Sequence, residues 1–220
     1  KELVTKLSPR ALAGAPREVI KPLAKELAEI VKSRLLALEL PRPHYRVRCK
    51  LERWKLAVLP RILADRFLDR REILKNLVPP RVVAAVFSTA WNRWCTARRF
   101  QKRDGPSNNC RLGCGGGAED SIEHYSRCRT VRDFHRKTLN MDDECLLLHW
   151  FGAHGDQGRD AALLACGAIG CYAVYTVTNA ARHGGTYSPT EATNALRQAA
   201  KEAVIGHAKA TRTLASRWSR

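Results

Sequence analysis

Three cysteines and one histidine near the middle of this 220-residue sequence stand at spacings that suit a metal ion. Cys110 and Cys114 enclose three residues, nine residues follow, and His124 and Cys128 again enclose three. Two thiolates flanking a Gly-bearing turn can converge on one ion, and a His and a Cys four apart share a helix face, so the four can close a tetrahedron. Three sulfurs and an imidazole suit zinc. Four protein ligands leave no open position for a reactive water, so the expected site is a structural Zn2+. The competing reading is three small buried cysteines and an unrelated surface histidine.

Other groups with chemical potential are weaker. Cys145, His149 and His154 lack an evident fourth ligand for a second metal site. Asp142, Asp143 and Glu144 read as the acidic first turn of a short helix ending at Gly152 rather than as a catalytic metal cluster. Cys49, Cys95, Cys145, Cys166 and Cys171 sit in apolar patterns and are expected in the core. Eight cysteines without a secretory start point to an intracellular, reducing compartment.

Charge supplies the second signal. Lys plus Arg number 39 against 21 Asp plus Glu, a balance of +18, and residues 1–103 carry +16 of it. So local an excess is expected to track phosphates, RNA and/or DNA being the natural partner; the alternative is a solvated, idle face. Arg93, Arg98, Arg99, Lys102 and Arg103 follow or flank Trp91 and Trp94, which places cations beside aromatic surface. They can contact phosphate with aromatic support, or complement a helix dipole, or both. Arg111, Arg127 and Arg129 flank the ligand set, with Arg132, Arg136 and Lys137 beyond, and such cations can edge a metal knuckle with a basic surface.

Helices must position these groups. Val19, Ile20, Leu23, Leu27, Ile30, Val31, Leu35 and Leu38 recur at intervals of three and four between Pro16 and Leu40. An extended link is expected over 41–49 and a second helical region from Leu51, with Pro60 opening a helix that stops at Pro79 and Pro80. A third helix is expected from Arg81 to Phe100, followed by loop over 104–117. Asp120 and Glu123 form a start pair for a helix bearing His124 and Cys128. The run 161–181 carries no charge, but its Ala, Gly, Cys and Thr suit a buried helix rather than a membrane span. Ser188, Pro189 and Glu191 cap a last helix running through Val204 and Ala208 towards Leu214.

The fold class that follows is mainly α, with helical bundle segments flanking a small Cys3His zinc knuckle. Three segments are expected: a basic helical one at 1–103, the knuckle at 104–138 and a C-terminal helical one at 139–220. The first residue is Lys1 and the only methionine is Met141, so the sequence is expected to be a piece of a longer polypeptide whose upstream remainder is a partner.

The stretch LVPPRVVAAVFSTAWNRWCTARRFQ followed by CRLGCGGGAEDSIEHYSRC resembles the post-polymerase region of non-LTR retrotransposon reverse transcriptases. The resemblance covers about residues 77–135. It implies a helical thumb or linker followed by a Cys-Cys-His-Cys zinc knuckle that engages template RNA or target DNA, with Cys110, Cys114, His124 and Cys128 as ligands, and a nuclear address. No aspartate pair in a Tyr/Phe-x-Asp-Asp setting and no carboxylate and lysine cluster accompanies it. The chain alone is therefore expected to bind nucleic acid without polymerase or nuclease activity. The alternative is a helical protein-interaction module in which zinc is only a clamp.

Overall fold

The computed structural model describes residues 16–37, 47–49, 51–52, 60–100, 109–115, 117–141, 146–152 and 160–218. They are mostly helical, and among them the only extended pairing is an isolated antiparallel bridge between Asn109 and Glu119. The chain divides into two compact units, Lys1–Pro43 and His44–Arg220; the boundaries at 103 and 138 read from the sequence fall inside the second.

The first unit contributes α1 (Arg17–Ala37), where the three-and-four spacing led. Leu23 and Ile30 are half-buried, while Leu27 and Val31 are exposed.

In the second unit, 47–49 are helical rather than extended, 51–52 are helical as expected from Leu51 on, and Arg48 pairs with Glu52 one turn on at 3.2 Å. Then come α2 (Pro60–Leu77) and α3 (Pro80–Ala90), each opening on a proline, whose missing N–H costs nothing in a first turn. α3 ends ten residues before Phe100. Asn92 takes the left-handed conformation at φ 52°, which a short polar side chain tolerates, and residues 93–100 run on as turns. Trp94 therefore leaves the helical stripe and enters the core, stacked on Trp150 at 5.9 Å, with its indole N–H donating to Thr89 Oγ1 at 2.8 Å.

α4 (Ile122–Tyr125), α5 (Arg129–Leu139) and α6 (Leu147–Trp150) follow. They lead to α7 (Ala161–Gly184), the run without charge, which Asp160 caps by accepting from the Ala162 N–H. α7 is long and apolar enough to cross a membrane, yet its apolar window is 67% buried, as a core helix requires. It packs against α2, α3, α5, α6 and the two helices that follow it. Small residues allow the close approach: a Cβ at Gly170 would collide with the His135 ring and one at Gly167 with the His149 backbone.

The last expected helix is two, α8 (Pro189–Ala203) and α9 (Ala208–Trp218), separated by a turn with Gly206 at φ 78°. The Ser188–Glu191 capping box is present. Arg81 of α3 takes the carbonyls freed at the end of α8, donating to Glu202 O, Ala203 O and Ile205 O at 3.0, 3.1 and 2.8 Å.

Candidate metal centre

Cys110 and Cys114 lie on the loop between the turns of 91–100 and α4. The bridge of Asn109 to Glu119 closes this loop, and the Cys110 N–H donates to Ala118 O at 2.7 Å. Leu112, wholly buried, pins its tip to the core and donates its N–H to Cys110 Sγ at 3.4 Å. Gly113 follows at φ 60°, where a Cβ would run into Tyr187 O. That close approach lets the Tyr187 N–H reach Arg111 O at 2.9 Å, tying the loop to the entry of α8.

The other two ligands do not share one helix face. α4 is a single turn, and Cys128 is the N-cap of α5, with φ −59° and ψ 128°. His124 thus closes one helix and Cys128 opens the next, and the turn between them brings both inward. The N-cap of α4 is Ser121, whose hydroxyl accepts from the His124 N–H at 3.1 Å, and not Asp120. Ser121 sits immediately before the apolar Ile122, which is the better start signal of the two.

The four donor atoms lie within 4.8 Å of one another. Cys110 Sγ and Cys128 Sγ are 3.9 Å apart, and Cys114 Sγ and His124 Nε2 are 3.3 Å apart. A tetrahedral ion with bonds of about 2.3 Å to sulfur spaces its sulfurs about 3.8 Å apart, close to the Cys110–Cys128 separation, and the group could hold a metal ion. Cys110 and Cys128 are buried, Cys114 and His124 half-buried. The hydrogen bond with Cys128, and then burial, push Cys110 up to about 12. Burial, and then the Cys110 charge, push Cys114 up to about 11. A cation seated there would have to displace those protons, and would neutralise the thiolates it created.

Asp120 is the residue whose role sequence reasoning missed. It is 1% exposed, and its Oδ2 accepts from the Ala97 N–H at 2.8 Å and from Arg182 Nη2 of α7 at 2.9 Å. Its Oδ1 accepts from the Tyr125 hydroxyl at 2.8 Å. Burial, then the Asp120 charge, push the Tyr125 phenol far above its usual range, so it stays a proton donor. The same Tyr125 oxygen accepts from the Arg111 N–H at 3.3 Å, so one carboxylate connects the ligand loop, the 91–100 turns and α7. No local pattern links residue 120 to residue 182; only the fold does.

The cations expected to meet phosphate separate into groups. Arg98 faces Glu119 and Glu123 at 3.4 and 3.9 Å. Arg99 turns back onto the Arg93 and Trp94 carbonyls at 2.7 and 3.4 Å and lies over Phe100 at 5.7 Å. Arg93 is exposed, Arg111 half-buried, and Lys102 and Arg103 lie outside the described residues. Trp91 and Trp94 give these cations no open aromatic platform: Trp94 is 1% exposed and Trp91 packs on Phe67 and Phe87. Arg127 and Arg129 remain exposed and line a cleft of about 530 Å3 with Arg132, Asp133, Arg136 and Lys137.

Of the other candidates, Cys166 and Cys171 are fully buried as expected, and burial pushes the Cys171 thiol up to about 12. Cys49 and Cys95 are exposed instead, because neither falls on a buried helix face. Cys145, His154 and the acidic run 142–144 lie outside the described residues. No protein-family model, curated protein or solved structure matches the chain.

Proposed function

We propose that the chain is a zinc-stabilised nucleic-acid-binding segment of the kind found after the polymerase in non-LTR retrotransposon reverse transcriptases. The observation that carries this reading is the convergence of Cys110, Cys114, His124 and Cys128, with exposed Arg127 and Arg129 on either side of the last ligand. Three sulfurs and an imidazole at these separations suit Zn2+ above harder ions. The ion would staple the loop held at its tip by Leu112 to the residues that open α5, and would fix the start of that helix. Four protein ligands leave no water to activate, so in this reading the segment binds and does not catalyse. RNA and/or DNA is the partner, with the remainder of a larger nuclear polypeptide.

Two measurements test the reading. Elemental analysis of purified protein should find one zinc per chain, lost in His124→Ala. Binding to RNA and DNA oligonucleotides should fall steeply between about 50 and 200 mM salt. Zinc without any nucleic-acid binding at the lower salt would favour the second reading, a helical protein-interaction module with zinc as a clamp. An apolar cleft of about 270 Å3 bordered by Val204, Ile205 and Leu214, with Ile205 68% exposed, supports that alternative.

A further inference from the structure

α5 has two unlike faces. Val131, Phe134, His135, Thr138 and Leu139 are buried in the core, and the cleft-lining residues occupy the other side. Five of the six side chains around that cleft are cationic; the sixth, Asp133, is engaged by Arg136 at 2.7 Å. Arg127, Arg129 and Lys137 are exposed and make no ion pair among the described residues. No aromatic side chain lines the cleft, so nothing in it can stack on a base.

We propose that this cleft is a phosphate-backbone track, which grips one nucleic-acid strand by successive phosphates and leaves its bases unread. The proposal rests on the nucleic-acid reading above and assigns the contact surface to α5 rather than to the 93–103 tract. Arg129 to Arg136 spans roughly 10 Å along the helix at 1.5 Å per residue, over which one strand of a duplex presents about three phosphates. Guanidinium groups suit this because they meet phosphate oxygens in a forked geometry. Arg127 and Arg129 adjoin Cys128, so the metal centre fixes where the track begins.

The test compares the salt dependence of binding for the intact chain, an Arg127→Gln/Arg129→Gln/Lys137→Gln variant and a Lys209→Gln/Arg212→Gln control on α9. Fluorescent oligouridine, oligoadenine and oligocytosine are the probes, with polyglutamate as a non-nucleic polyanion. Loss of three phosphate contacts should flatten the slope of log K against log salt by about 2 to 3, at slopes of roughly 0.7 to 0.9 per contact, while the control leaves it nearly unchanged. The three homopolymers should bind within about threefold of one another, since backbone contacts carry no sequence information. Zinc content confirms that each variant is folded; should the triple variant lose zinc, Lys137→Gln alone, remote from the ligands, should flatten the slope by about 1. No binding by the intact chain at low salt overturns the nucleic-acid reading and the track together. Binding whose slope the α5 variants leave unchanged, or flatten no more than the control, overturns the track alone. So does a strong preference for one homopolymer, or equal affinity for polyglutamate.

Discussion

Replacing Asp120 by alanine should strongly destabilise the second unit without removing any of the four candidate ligands. The carboxylate receives three donors, the Ala97 N–H, the Tyr125 hydroxyl and the Arg182 guanidinium, at 2.8, 2.8 and 2.9 Å. It is 1% exposed, and the Arg182 side chain is 19% exposed, so water cannot take over the abandoned partners at little cost. Breaking a buried pair by deleting one member costs about 3 to 5 kcal/mol, because a charge stays behind without compensation. For a domain of this size that corresponds to a fall in Tm of roughly 10 °C. Asp120→Asn keeps the shape but offers one acceptor oxygen and turns an NH2 group towards donors, so it should recover little of the loss. Arg182→Met should cost less, since Asp120 keeps two donors, and the double variant Asp120→Asn/Arg182→Met should cost less than the sum of its parts. Urea titrations in the presence of zinc, followed by far-UV dichroism and by tryptophan fluorescence, to which Trp94 packed on Tyr125 at 6.0 Å contributes, give all four values. A loss below about 1 kcal/mol for Asp120→Ala, or strict additivity in the cycle, would refute the reasoning, since contacting charged groups must couple.

Three more outcomes are expected. A chelator, or Cys128→Ser, should lower stability by several kcal/mol and unwind the start of α5, read as lost helical dichroism that zinc restores only in the unmutated chain. Stability should also decline in mild acid because of His135. Its Nδ1 donates to Val131 O at 2.9 Å and its Nε2 accepts from the Trp150 indole at 3.1 Å, an arrangement that admits only the neutral ring. Burial first lowers its pKa to about 4 from an ordinary 6.5. As pH falls, the unfolded chain takes up the proton before the folded one does. The contribution is therefore complete above about 6.5 and lost by about 4, roughly 3 kcal/mol in all, and His135→Gln should remove that part of the pH profile. Gly170→Ala, finally, should cost about 1 to 3 kcal/mol, because its methyl group meets the same ring and α7 must shift; an unchanged urea midpoint would contradict the packing.

Local regularities were legible in the linear chain because they depend on neighbours in sequence. The spacing of apolar residues marked α1 and α2, a long run without charge marked α7, prolines marked the starts of α2 and α3, and Ser188 with Glu191 marked the start of α8. The ligand set was legible for the same reason: two pairs, each with three residues between its members, need only a turn apiece to converge. Periodicity was a poor guide to where helices stop. Those ends depend on Asn92 accepting a left-handed conformation and on Arg81 reaching across from α3 to the carbonyls closing α8.

By itself the sequence determined the helical composition, the cationic surplus and the four side chains that could hold a metal ion, all of which follow from residue type and short spacing. Tertiary structure alone decided that Trp94 lies inside rather than beside the cations, and that Asp120 anchors the ligand loop to Arg182 of α7. It also decided which cations remain free to meet a partner: Arg98 and Arg99 are engaged close to home, while Arg127, Arg129 and Lys137 line an open cleft. The physical reason is common to all three. A side chain's role depends on its solvent exposure and on partners distant in the chain, and a one-dimensional pattern carries neither until packing of the helices brings those partners together.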